Sequence, residues 1–158
     1  MRGIAAIVIS IVMLLSMAMP SMLEGAQQPP ENFTFDDTVE GFCEFPVHIL
    51  ALGKQGVIEL PGGGLIVTSP ALSAALTNVT PTSGESVTLS ITGAFHITTL
   101  ANGNVQTVYT GRNIVFDPRV GIVLLIGKFT GVADPDTGML VQDLEGRGQN
   151  IDLCLLLS

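Results

Sequence analysis

His96 and Tyr109 are the two residues of this chain whose types and spacing best suit proton chemistry. Asn102-Gly103 separates the apolar-polar runs 95–100 and 105–110, and that dipeptide predicts a two-residue hairpin loop. The register that follows sets Leu100 opposite Val105, Thr98 opposite Thr107 and His96 opposite Tyr109. Directly opposed residues have Cβ atoms about 5 Å apart. An imidazole beside a phenol, both facing an apolar cavity, could bind a polar group or pass a proton. The plain reading is an aromatic–imidazole pair on a partly solvated face. Gly93 decides which face that is, because a bulge there switches the facing set.

Other chemistry is thin. His48 lies four residues after Glu44, on one face of an extended segment, and reads as a surface pair. Joining His48 and His96 to an aspartate would make a metal site, but the spacing does not support one. Asp134-Pro135-Asp136-Thr137-Gly138 resembles the opening of a calcium loop without the later carboxylates, so a hairpin turn explains it. Pro61-Gly62-Gly63-Gly64 has no following Lys-Ser/Thr and no helix, so it reads as a turn and not a phosphate cradle. There is no G-x-S-x-G nucleophile elbow. The absence of Trp and the single Tyr disfavour a carbohydrate platform of stacked aromatics. Neither a cofactor nor a metal is expected.

The chain opens with Arg2, an apolar run over 4–19, Pro20, and the small pair Gly25-Ala26. This is the pattern of a secretory signal peptide over 1–26. The run is shorter than the roughly 20 apolar residues of a spanning helix, although a retained anchor is the alternative. Removing it takes Arg2 and Glu24 together, so 6 basic and 14 acidic residues become 5 and 13, and the net charge stays at −8. That balance favours solubility and argues against nucleic acid or an anionic membrane as partner. In an oxidising compartment Cys43 and Cys154 are expected to pair, with two separate buried thiols as the alternative. The expected localisation is extracellular. Asn32-Phe33-Thr34 and Asn78-Val79-Thr80 match the glycosylation sequon, which matters only in a host that uses it.

Residues 27–41 are polar and acidic and read as a flexible lead-in, with Phe33, Phe35 and Phe42 available to dock it. A single all-β domain is expected over 42–158. Its strands are 43–52, 57–60, 65–69, 72–77 (a two-turn helix is the alternative), 86–100 with a bend at Gly93, 105–116, 122–132 and 139–147. Segment 122–132 is apolar on both faces around Val123-Leu124-Leu125-Ile126 and should be covered on both sides. Asn150 could cap a short C-terminal helix over 151–157. Eight antiparallel strands joined by hairpins predict an up-and-down β-barrel, with a two-sheet β-sandwich as the alternative.

Five phrases give the chain a family look: Cys43-Glu44-Phe45-Pro46-Val47, Ser90-Ile91-Thr92-Gly93, Thr110-Gly111-Arg112-Asn113, Phe116-Asp117-Pro118 and Asp152-Leu153-Cys154. In these it resembles a group of small exported bacterial proteins of unassigned function. The resemblance implies export and paired cysteines, and no activity. Three functions fit the sequence. The first is a non-enzymatic exported domain that binds a small apolar ligand or a protein. The second is an isomerase- or cyclase-like barrel enzyme using His96 and Tyr109. The third is a structural or adhesive surface protein.

Overall fold

A computed structural model describes residues 29–158. The signal peptide expected over 1–26 lies outside the described residues. Nine antiparallel strands and one short helix follow in order. They are β1 (Glu31–Val39), β2 (Val47–Glu59), β3 (Leu65–Thr68), β4 (Ser73–Asn78), β5 (Ser86–Ser90), β6 (Gly93–Thr99), β7 (Val105–Asp117), β8 (Gly121–Ala133), β9 (Leu140–Asp152) and α1 (Leu153–Leu156).

The topology is a meander with two interruptions. β4 and β3 both lie antiparallel along one edge of β2, and β1 lies along the other. β5 pairs with β4, and β6 pairs with β3. β6, β7, β8 and β9 then follow as successive neighbours. The sheet does not close into the expected barrel: among the described residues β1, β5 and β9 each pair on one side only. The reason is a crease that splits and folds the sheet where a barrel would curve evenly.

That crease is a file of glycines. Gly93 stands opposite Gly111, Gly111 opposite Gly127, and Gly127 opposite Gly148. Gly127 and Gly148 take φ of +135° and +140°, where L side chains are strained. A Cβ on Gly148 would lie 2.0 Å from the Ile126 carbonyl oxygen, and one on Gly127 would lie 2.3 Å from that of Arg147. The strands therefore double back at this line.

Two cores result. In the first, Val39, Val47, Ile49, Ala51, Ala74 and Leu76 of the β1–β2–β4–β5 layer meet Ile122 and Leu124 of β8, with Leu153 and Leu157 at the C-terminus. In the second, Phe129, Tyr109 and Leu144 fold over the crease onto Val115, Val123 and Leu125. Residues 122–125 of β8 are thus buried on both faces, as their unbroken apolar run predicts. Burying a Leu or Val side chain stabilises a fold by about 1.5–3 kcal/mol, so this stretch anchors both layers.

Other sequence expectations shift. The acidic lead-in is ordered from Glu31: Phe33, Phe35 and Val39 alternate and pack on the first core, which makes that segment β1. The strands expected at 43–52 and 57–60, with a turn between them at 53–56, are one strand. β2 runs through 53–56, pairing Gly53 with Phe33 and Gly56 with Thr68. Cys43 and Pro46 precede β2, which begins at Val47. Asp152, not Asn150, caps α1, its carboxylate accepting from the Leu155 amide at 3.0 Å. Cys43 and Cys154 form a disulfide with Cα atoms 5.4 Å apart, tying the approach to β2 to α1.

Candidate functional site

The structure separates His96 from Tyr109. The β6–β7 connection is longer than two residues: Leu100 N–H donates to Asn104 O at 2.8 Å, and Gly103 at φ +90° completes the turn. Asn102 Oδ1 accepts from Asn104 N–H at 3.1 Å. The register moves by one residue, so Phe95 faces Tyr109 and His96 faces Val108. A one-residue slip exchanges the faces of a strand. His96 and Tyr109 therefore lie on opposite sides of the sheet, and the expected pair does not assemble.

Tyr109 instead faces the second core. Its ring sits 6.2 Å from that of Phe95, centroid to centroid. Burial pushes its phenol above the usual value, and the Asp117 charge adds to the rise. The Thr107 hydroxyl draws it back in part. His96 shares the other face with Ile66 and Val108.

His48 pairs with Asp36 of β1, not Glu44, with Nε2 to Oδ1 at 2.8 Å on the exposed face. Asp134 closes the β8–β9 turn: its Oδ1 accepts from Thr137 N–H at 2.8 Å, Thr137 Oγ1 at 2.9 Å and Asp136 N–H at 3.0 Å. The backbone bond from Thr137, foremost among these, holds that carboxyl below its ordinary range. Among the described residues no three His, Cys, Asp or Glu side chains are grouped to hold a metal. The sequon residue Asn32 is exposed. Asn78 is buried, its Nδ2 donating to Leu157 O at 2.8 Å.

The family phrases collect at junctions of the fold. At the crease β5 and β7 part, which would leave carbonyls without partners. Arg112 Nε donates to Ser90 O at 2.7 Å, and Asn113 Nδ2 donates to Thr110 O at 2.9 Å. Asp117 joins the ends of the folded strands: its Oδ1 accepts from Arg119 N–H at 2.8 Å and its Oδ2 from Leu140 N–H at 2.7 Å. No single strand carries a signal for this group. The glycines align only once the cross-strand register is known.

A second feature is a lobe built from the end of β2, β3, β6 and the start of β7. Val57, Leu65, Phe95 and Ile97 are half-buried on one face. Ile58, Ile66 and Val108 are half-buried on the other. Val67, opposite Val57 and Phe95 on the first face, is buried, and the Phe95 ring meets that of Tyr109 at the edge of the second core. The lobe thus holds incompletely buried apolar side chains on both faces, and apolar surface left accessible can serve as an interaction site. Compared with protein-family models, curated proteins and solved structures, the chain matches none of them.

Proposed function

We propose that this chain is an exported, non-enzymatic β-module that binds a protein partner through the β2–β3–β6–β7 lobe. The observation that carries this reading is the partly buried apolar side chains that the lobe holds on both of its faces. A two-faced sheet lobe suits a macromolecular partner that wraps it, since a small ligand needs a concave enclosure. The disulfide is compatible with an extracellular setting.

The reading that uses His96 and Tyr109 in catalysis loses its premise, because the two face opposite sides of the sheet.

Native mass spectrometry of the protein recovered from its own culture medium tests the proposal. The expected result is a chain cleaved near Ala26, carrying its disulfide and bound to a second protein. Ile66→Ser and Ile97→Ser, on opposite faces of the lobe, should each release that protein while the chain still melts cooperatively. A co-purified small molecule, or a partner retained by both variants, would overturn it.

A further inference from the structure

We infer that the chain forms a weak two-fold dimer by antiparallel pairing of β5 with β5 of a second copy. This surface is distinct from the lobe. Among the described residues β5 pairs only with β4, so its other edge is open.

The backbone direction follows from the bonds already made. Asn78 N–H donates to Glu85 O at 2.8 Å, and Ile91 N–H donates to Leu72 O at 3.0 Å. Residues of an antiparallel strand alternate in the edge they serve, so Val87 and Leu89 also serve β4. Ser86, Thr88 and Ser90 then present their amides and carbonyls outward. Consistent with this, the Ser90 carbonyl is the one that reaches outward to Arg112 Nε, and its second lone pair stays free.

The segment Ser86-Val87-Thr88-Leu89-Ser90 is close to a palindrome. Placing the two-fold axis at Thr88 sets Thr88 against Thr88 of the second copy. It sets Ser86 against Ser90 and Val87 against Leu89. Each opposed pair of Ser86, Thr88 and Ser90 exchanges both backbone bonds, the arrangement of a hydrogen-bonded antiparallel pair. Val87 and Leu89, half-buried at the margin of the first core, extend that core across the axis. The opposite face matches hydroxyl to hydroxyl, a favourable cross-strand pairing. An isologous contact of this kind closes on itself and stops at two copies.

The other free edges carry charges of their own, whereas β5 is met only at its Ser90 end, by the Arg112 side chain. β1 carries Glu31, Asp36 and Asp37, so a second copy would meet like charge. β9 carries Asp143, Glu145 and Arg147, bulges between its pairings with Thr130 and Val132, and bends at Gly148. Charges and bulges are how edges resist pairing. β5 has neither a charge, a proline nor a bulge. One short strand pair buries little area, which makes the dimer weak. Each copy carries a net charge of −8, so added salt should tighten it.

Sedimentation of the folded, oxidised protein across a concentration series tests this. The expected result is a monomer–dimer equilibrium that shifts toward dimer with salt. Thr88→Lys and Thr88→Glu should each weaken the dimer by at least about tenfold, and a one-to-one mixture of the two should recover it. That recovery separates an interface effect from misfolding. Thr88→Cys should cross-link to itself under mild oxidation, whereas Ser86→Cys should cross-link to Ser90→Cys and not to itself. A monomer at every concentration, a dimer unaffected by both charged variants, or cross-links that ignore this register would overturn the inference.

Discussion

The Asp117 carboxylate accepts the Leu140 amide at 2.7 Å, although the two residues sit at opposite ends of the β8 ladder. Asp117 pairs with Gly121 at the start of β8, and Leu140 pairs with Ala133 at its end. A straight strand of 13 residues would hold those ends about 40 Å apart. The contact exists because the sheet folds over at Gly111, Gly127 and Gly148.

Asp117 should therefore act as the clasp of the fold. Its side chain is 1% exposed and serves the amides of Arg119 and Leu140. Each hydrogen bond to a charged group contributes about 1.5–3 kcal/mol, and an orphaned buried amide costs about 1–3 kcal/mol. Asp117→Ala should destabilise the protein by about 3 kcal/mol or more in urea unfolding. Asp117→Asn, which keeps one acceptor, should lose less. Asp143→Ala, at the exposed far side of the Arg119 contact, should change little.

The crease predicts a graded glycine series. Gly127→Ala and Gly148→Ala put a methyl into backbone carbonyls and strain φ, so both should fail to fold or melt far below the parent. Gly103→Ala also sits at positive φ but has open space around it. Its cost should be about 1 kcal/mol. Equal costs at the three sites in thermal melts would deny the crease its structural role.

The elements legible in sequence were those whose signal is local. β8 declared its double burial by an unbroken apolar run, and β5 declared itself by alternation. β1 was harder because acidic residues surround Phe33 and Phe35, and its partner had to be known. The β6–β7 register went astray because Asn-Gly serves both two-residue and longer turns, and one residue exchanged the faces of His96 and Tyr109. Gly93, Gly111, Gly127 and Gly148 are unevenly spaced along the chain, so only the pairing reveals them as one line. Long-range contacts such as Asp117 with Leu140 carry no local signature at all.

The disulfide closes a loop with a sequence separation of 111 residues. A cross-link of that span stabilises by about 4–5 kcal/mol in the chain-entropy model. The Cys43→Ser, Cys154→Ser double variant should show a lower urea midpoint by a corresponding amount. Adding reductant to the parent should give the same midpoint and leave the double variant unmoved. A reductant effect on the double variant would mean that the loss has another source.

Tyr109 offers a pH reading free of overlap, because the chain has one Tyr and no Trp. Its phenol is raised above the ordinary value of 10.0 by burial first and by the Asp117 charge second. A raised phenol is more often protonated folded than unfolded at the same alkaline pH. The stability it contributes is fully present below 10.0 and is lost as pH rises toward and through the folded value. Tyrosinate absorbance of the native protein should therefore titrate above 10.0, and that of the urea-unfolded chain near it. Asp117→Asn should lower the native midpoint by removing the charge while leaving the burial. Coincident native and unfolded titrations would place Tyr109 in water and remove it from the second core.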